Sequence, residues 1–108
     1  MNVYTIFKLM YFALDSKWEN DKDEDLGQYL SEMNPFLWND EGSADPEMYS
    51  KFKSKFQEKF NSNECSVEES YNFTKNFLEA DDNINAKKAL SVFSNISLDE
   101  WIEASKNI

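Results

Sequence analysis

The chain has 108 residues, of which 21 are Asp or Glu and 11 are Lys, with no Arg and no His, giving a net charge of -10 at pH 7. That balance argues against several classes of function. So acidic a body repels nucleic acid and anionic membrane while drawing basic partners. Lack of His removes the usual general base and the commonest metal ligand near neutrality, and lack of Arg removes the planar fork that clamps phosphate and carboxylate.

Aromatic residues make up 16% of the chain, too many for a disordered acidic tail. Two Gly and two Pro leave few breaks, which favours helices joined by short loops over a turn-rich β fold. The expectation is an all-α protein: one helical domain over residues 1–108, a compact bundle of five or six helices around an apolar central N-terminal helix.

That first helix is expected over Val3 to Ser16, where apolar residues fall on nearly all sides. The segment has no basic leader, Lys8 interrupts it, and it is too short to span a bilayer, so it reads neither as a signal peptide nor as a membrane anchor. The expected location is cytoplasmic, with no membrane partner. Glu19, Asp21, Asp23, Glu24 and Asp25 then make an exposed acidic turn after Trp18. A second helix is expected from about Asp23 to Met33, burying Leu26, Tyr29, Leu30 and Met33.

Asn34-Pro35 stops that helix. Phe36-Leu37-Trp38 lacks helical spacing and is expected to plug the core, with a polar loop from Asn39 to Ala44 behind it. Asp45-Pro46, an N-cap followed by proline at the first helical position, starts a third helix with a stripe of Met48, Tyr49, Phe52, Phe56 and Phe60. Ser66-Val67-Glu68-Glu69 and Ser97-Leu98-Asp99-Glu100 are capping boxes. The first opens a helix expected to bury Val67, Tyr71, Thr74, Phe77 and Leu78; the second opens a short terminal helix with Leu98, Trp101 and Ile102. Between them, Ile84 to Ile96 reads as a further helix carrying Ala86, Ala89, Leu90, Val92 and Phe93.

The candidate chemistry is sparse. Cys65, the single cysteine, sits among acids that raise a thiol's pKa, and reads as an ordinary unreactive thiol. Asp21, Asp23, Asp25 and Glu32 stand at the first, third, fifth and twelfth places of a calcium loop. The sixth place, where the loop must turn sharply, is Leu26, and Gly27 arrives one residue late, so the segment reads as a solvated acidic turn with no metal. No nucleophile motif or glycine-rich loop singles out a pair of carboxylates, and neither enzymatic activity nor a cofactor is expected. Lys51, Lys55 and Lys59, four residues apart, form the one basic row; it reads as snorkelling beside the Phe stripe and pairing with acidic loops.

Acids beside aromatic residues point to a partner. Trp18 is followed by Glu19, Asp21, Asp23, Glu24 and Asp25, and Trp38 by Asp40 and Glu41. Acid steers an approaching basic surface while an aromatic anchors it, so these nine residues are the expected contact.

The run Leu26-Gly27-Gln28-Tyr29-Leu30-Ser31, then Asn34-Pro35-Phe36-Leu37-Trp38, then Gly42-Ser43-Ala44-Asp45-Pro46 with Tyr49 and Phe52, resembles a segment of small acidic bacterial immunity proteins. Those belong to polymorphic toxin and contact-dependent growth inhibition systems. The resemblance implies a stoichiometric inhibitor of a cognate basic toxin, often a nuclease, and carries over no catalytic residue. The expected function is thus a non-enzymatic acidic protein-binding module of the immunity type. The alternative is an acidic adaptor or nucleic-acid mimic that binds a DNA- or RNA-handling protein.

Overall fold

Helix α1 runs Val3–Asp21, opened by Asn2, whose side chain accepts from the Thr5 N–H at 2.9 Å. It continues past Ser16 because nothing from there to Asp21 breaks a helix, and it stops only where Lys22 turns left-handed at φ 56°. The acidic turn expected after Trp18 is therefore a single-corner connection. Lys22 closes α1 by donating its N–H to the Trp18 carbonyl at 2.7 Å, and Asp23 immediately caps α2, Glu24–Met33, by accepting from the Leu26 N–H at 3.0 Å. This is a computed structural model, and it describes residues 1–37 and 39–108.

The remaining helices are α3, Pro46–Phe60; α4, Val67–Ala80; α5, Ala86–Phe93; and α6, Leu98–Ser105. Asp45 caps α3 and both capping boxes form, at Ser66 with Glu69 and at Ser97 with Glu100. Among the described residues there is no strand, only an isolated antiparallel bridge between Asn2 and Glu64. The described residues form an all-α bundle of six helices, with a 12.6 Å radius of gyration close to the roughly 13 Å of a compact domain of this length. No helix among the described residues is long and apolar enough to cross a membrane.

Helix α1 packs against α2, α3, α5 and α6. Val3, Ile6, Phe7, Leu9, Met10, Ala13 and Leu14 are buried. An edge-to-face lattice of rings then joins three helices: Phe7 to Tyr49 and to Phe52 at 5.2 Å, and Phe52 to Phe73 and Phe77 at 5.2 and 5.0 Å. Such contacts add about 0.5–1.5 kcal/mol each beyond the area they bury.

Several expected positions move. The plug does not form: Pro35 is buried and its carbonyl accepts from the Tyr4 hydroxyl at 2.7 Å, while Phe36 and Leu37 are turned outward, 55% and 59% exposed. The reason is a short turn, because the Asn34 side chain accepts from the Phe36 N–H at 2.9 Å and points the chain away from the core. Trp38 lies outside the described residues. In α4 the buried set is Ser70, Phe73, Thr74, Phe77 and Leu78, with Val67 and Tyr71 only half-buried. This helix is covered from two sides, by α3 and by α5 with α6, so its buried arc is wider than one stripe. Ile84 precedes α5 and is 91% exposed; Leu98 is likewise exposed.

Candidate functional site

The acidic corner between α1 and α2 combines two opposite electrostatic settings. Glu24 and Asp25 lie in the first turn of α2, where the helix dipole favours negative charge. Glu19 and Asp21 lie in the last turn of α1, where it opposes them, and that turn holds no basic residue of its own. Cations come from beside it. Lys22 Nζ reaches Glu19 at 3.2 Å, and Lys88 of α5 reaches Asp21 at 3.9 Å and Asp23 at 3.6 Å. The N–H of Leu26 and the nearby Lys88 hold the Asp23 carboxyl below its ordinary range, against a smaller opposing effect of burial.

Trp18 is not a free-standing anchor. It is half-buried, its indole N–H donates to the Asp23 carbonyl at 2.9 Å, and Lys22 Nζ stands 4.2 Å from its ring centre. The indole locks the corner, leaving Glu19, Asp21, Glu24 and Asp25 exposed around it and Asp23 half-buried. Glu32, the last residue of the calcium-loop pattern, is on α2 and accepts from Asn83 at 3.2 Å. With Glu24 to Met33 helical, the twelve-residue loop does not exist, and among the described residues no cluster of three metal-binding side chains forms.

Asp40 and Glu41 are exposed at the other end of α2, in the loop that Ala44 and Asp45 close by donating to the Asn34 and Glu32 carbonyls at 2.9 and 2.8 Å. They line a shallow hollow of about 450 Å³ with Pro46, Tyr49 and Lys53. Glu41 accepts a long bond, 3.5 Å, from the Tyr49 hydroxyl; burial, then the Glu41 charge, pushes that hydroxyl's pKa up. The two acidic groups are thus separated by the length of α2, about 15 Å for ten residues.

A feature the sequence reading missed lies between them. Phe36 meets Phe12 at 5.4 Å and Tyr11 at 6.0 Å between ring centres, and Phe12 is 45% exposed. From Tyr11 a cleft of about 230 Å³ runs past Asp15 to Trp18, with Gly27, Leu30 and Asn34 on its opposite wall. On its other side Phe12 adjoins a second hollow, of about 320 Å³, that reaches Ala104 and Ile108, itself 40% exposed. The result is an aromatic face bounded by Asp15 and the acidic corner at one end and by the Asp40–Glu41 loop at the other. The available signal was α1 itself: a helix apolar on nearly every side presents more apolar surface than its neighbours can cover, and Phe12 is the residue left over.

The other candidates have structural roles. Burial, reinforced by Glu69, pushes the Cys65 thiol up to about 11, so little thiolate exists near neutrality. Lys51 bridges Asp81 at 2.5 Å and Asp82 at 3.5 Å, as the reading of internal pairing anticipated. Comparison with protein-family models, curated proteins and solved structures gives no match.

Proposed function

We propose that this protein is a non-enzymatic acidic binding module of the immunity type, which neutralises a basic toxin by covering part of its surface. The supporting observation is the exposed Phe12–Phe36 pair, set between two acidic groups on a body of net charge -10. Exposed rings supply the desolvated centre of an interface, and a surrounding acidic field accelerates the approach of a basic partner and rejects acidic ones. The chemical work assigned to the protein is occlusion.

The test is protection of cells that co-express a basic toxin, with candidates taken first from genes adjacent to this one. The wild-type protein protects, and the Phe12→Ser, Phe36→Ser double variant loses protection through faster dissociation. Asp21→Asn, Asp23→Asn and Asp25→Asn together slow association and flatten its salt dependence, while an asparagine in place of Asp23 still caps α2. Absence of protection by the folded wild-type protein overturns the toxin assignment. Protection unaffected by either set of variants overturns this face as the contact.

A further inference from the structure

On a surface of opposite character, the α3–α4 groove gathers cations. Lys51, Lys55 and Lys59 line one wall of a cavity of about 420 Å³ whose floor carries Phe73 and Phe77. The volume falls within the roughly 300–1,000 Å³ of small-molecule sites. Spacing of four residues puts the ammonium groups on one edge of α3, about 6 Å apart along its axis.

The three lysines are unequally compensated. Lys51 is committed to Asp81, whose side chain is fully buried, and to Asp82, so that end of the groove is closed by acid. Lys55 has only a loose contact with the exposed Glu58 at 3.9 Å, and Lys59 has no ion pair among the described residues. Positive charge is therefore left over at one end, followed by aromatic floor, followed by a carboxylate barrier.

We propose that this groove binds a free monoanionic amphiphile: a carboxylate with an unbranched apolar chain of medium length. Its head group pairs with Lys55 and Lys59, and its chain lies over Phe73 and Phe77 toward Ala80. The polarity of the groove selects against the alternatives. A second anionic group at the far end of the ligand meets the exposed Asp82, which rejects dicarboxylates and extended polyphosphates. A cationic head meets Lys55 and Lys59. The site stands on α3 and α4 and shares no lining residue with the Phe12–Phe36 face, so the two assignments fail independently.

The experiment titrates decanoate, below its micelle concentration, into the full-length protein, following heat and backbone amide shifts. The expected result is saturable one-to-one binding that weakens with salt and shifts amides from Phe73 to Ala80. Lys55→Gln with Lys59→Gln lowers affinity at least about tenfold without moving the melting temperature. Ala80→Phe, an exposed position that fills the groove, abolishes binding in a folded protein. Decyltrimethylammonium gives no shifts in the groove. No saturable binding overturns the proposal, as do shifts centred on Phe12 and Phe36 or affinity indifferent to both variants. Binding to phosphatidylglycerol vesicles without binding of monomeric decanoate overturns it in favour of a membrane surface.

Discussion

The indole of Trp18 rests directly on Gly27: a Cβ placed on that glycine would stand 3.0 Å from Nε1 and 3.4 Å from Cε2. This contact explains a glycine inside a ten-residue helix, where alanine would ordinarily be preferred. It also explains why the α1–α2 corner needs only Lys22 and Asp23, since the indole fills the angle between the two helices and donates across it to Asp23.

Gly27→Ala is therefore expected to destabilise the protein. At an open helix site the change would add about 1 kcal/mol of stability through propensity. Here Trp18 must move, and the indole hydrogen bond and its packing are loosened. Thermal melting checks the sign, and the Trp18 indole N–H resonance checks the cause. A stabilised variant with an unshifted indole would show that the close approach costs nothing.

Trp101 and Thr74 make a matched pair of opposite expectations. The buried Trp101 indole donates to Ser70 Oγ at 2.9 Å, so Ser70→Ala strands a donor and should cost about 1–3 kcal/mol. Thr74 is buried and its hydroxyl has no hydrogen-bond partner among the described residues, so Thr74→Val should stabilise by about 1 kcal/mol. Chemical denaturation of the two variants measures both. Equal effects of one sign would contradict the assignment of partners.

Asp81 is the buried acid that ties α2, α3 and the α4–α5 connection together. It accepts from Tyr29 at 2.8 Å, from Lys51 at 2.5 Å and from the Asn83 N–H at 3.1 Å. Burial, followed by the Asp81 charge, raises the Tyr29 hydroxyl's pKa far beyond its ordinary value; for Lys51 desolvation is the largest single effect and acts downward, but the bonds and charges of Asp81 and Asp82 together outweigh it and leave the ammonium raised. Tyr29→Phe removes one of three donors to a buried carboxylate and is expected to cost about 1–3 kcal/mol in denaturant melts. A neutral result would mean that water replaces the hydroxyl.

Stability should fall on the acid side. Glu69 is held low by the Ser66 N–H, Glu100 by the Ser97 N–H and then Lys17, and Asp23 by the Leu26 N–H and Lys88. Each is more acidic folded than at its ordinary value of 4.5 for Glu or 3.8 for Asp. Their contribution is complete above those values and disappears as pH falls through the lower folded ones. With no His in the chain, melting temperature is expected to stay nearly level from about pH 6 to 8 and to drop below about pH 4. A steep change between pH 6 and 8 would point to a group other than these three.

The caps were legible because each is local: Ser66 with Glu69, Ser97 with Glu100 and Asp45 before Pro46 need only neighbours three residues away. The stripe on α2 was legible for the same reason. What escaped was set by partners distant in sequence. Phe73 is buried because α3 lies against it, and Asp21 meets Lys88 only because α5 folds back to the corner. Phe36 reads as core by composition, yet Asn34 turns it outward, a choice made by one side-chain hydrogen bond. Of the expected contact residues, the acids other than the half-buried Asp23 face solvent, whereas Trp18 is held inside its own corner and the exposed rings belong to α1 and the loop after α2.

The salt bridge between Lys17 and Glu100 joins residues 83 positions apart, and it lies where α1 meets α6. During synthesis α1 leaves the ribosome well before α5 and α6 exist to cover it. At about 5–20 residues per second the delay is roughly 4–17 seconds, long compared with the microseconds in which a helix forms. The helix that buries the most apolar side chains therefore waits uncovered longest, and a nascent chain arrested before α6 should be held by chaperones or lost to aggregation. Slowing translation of the codons for α5 and α6 would lengthen that exposure, so the yield of native protein is tied to the speed at which those two helices are made.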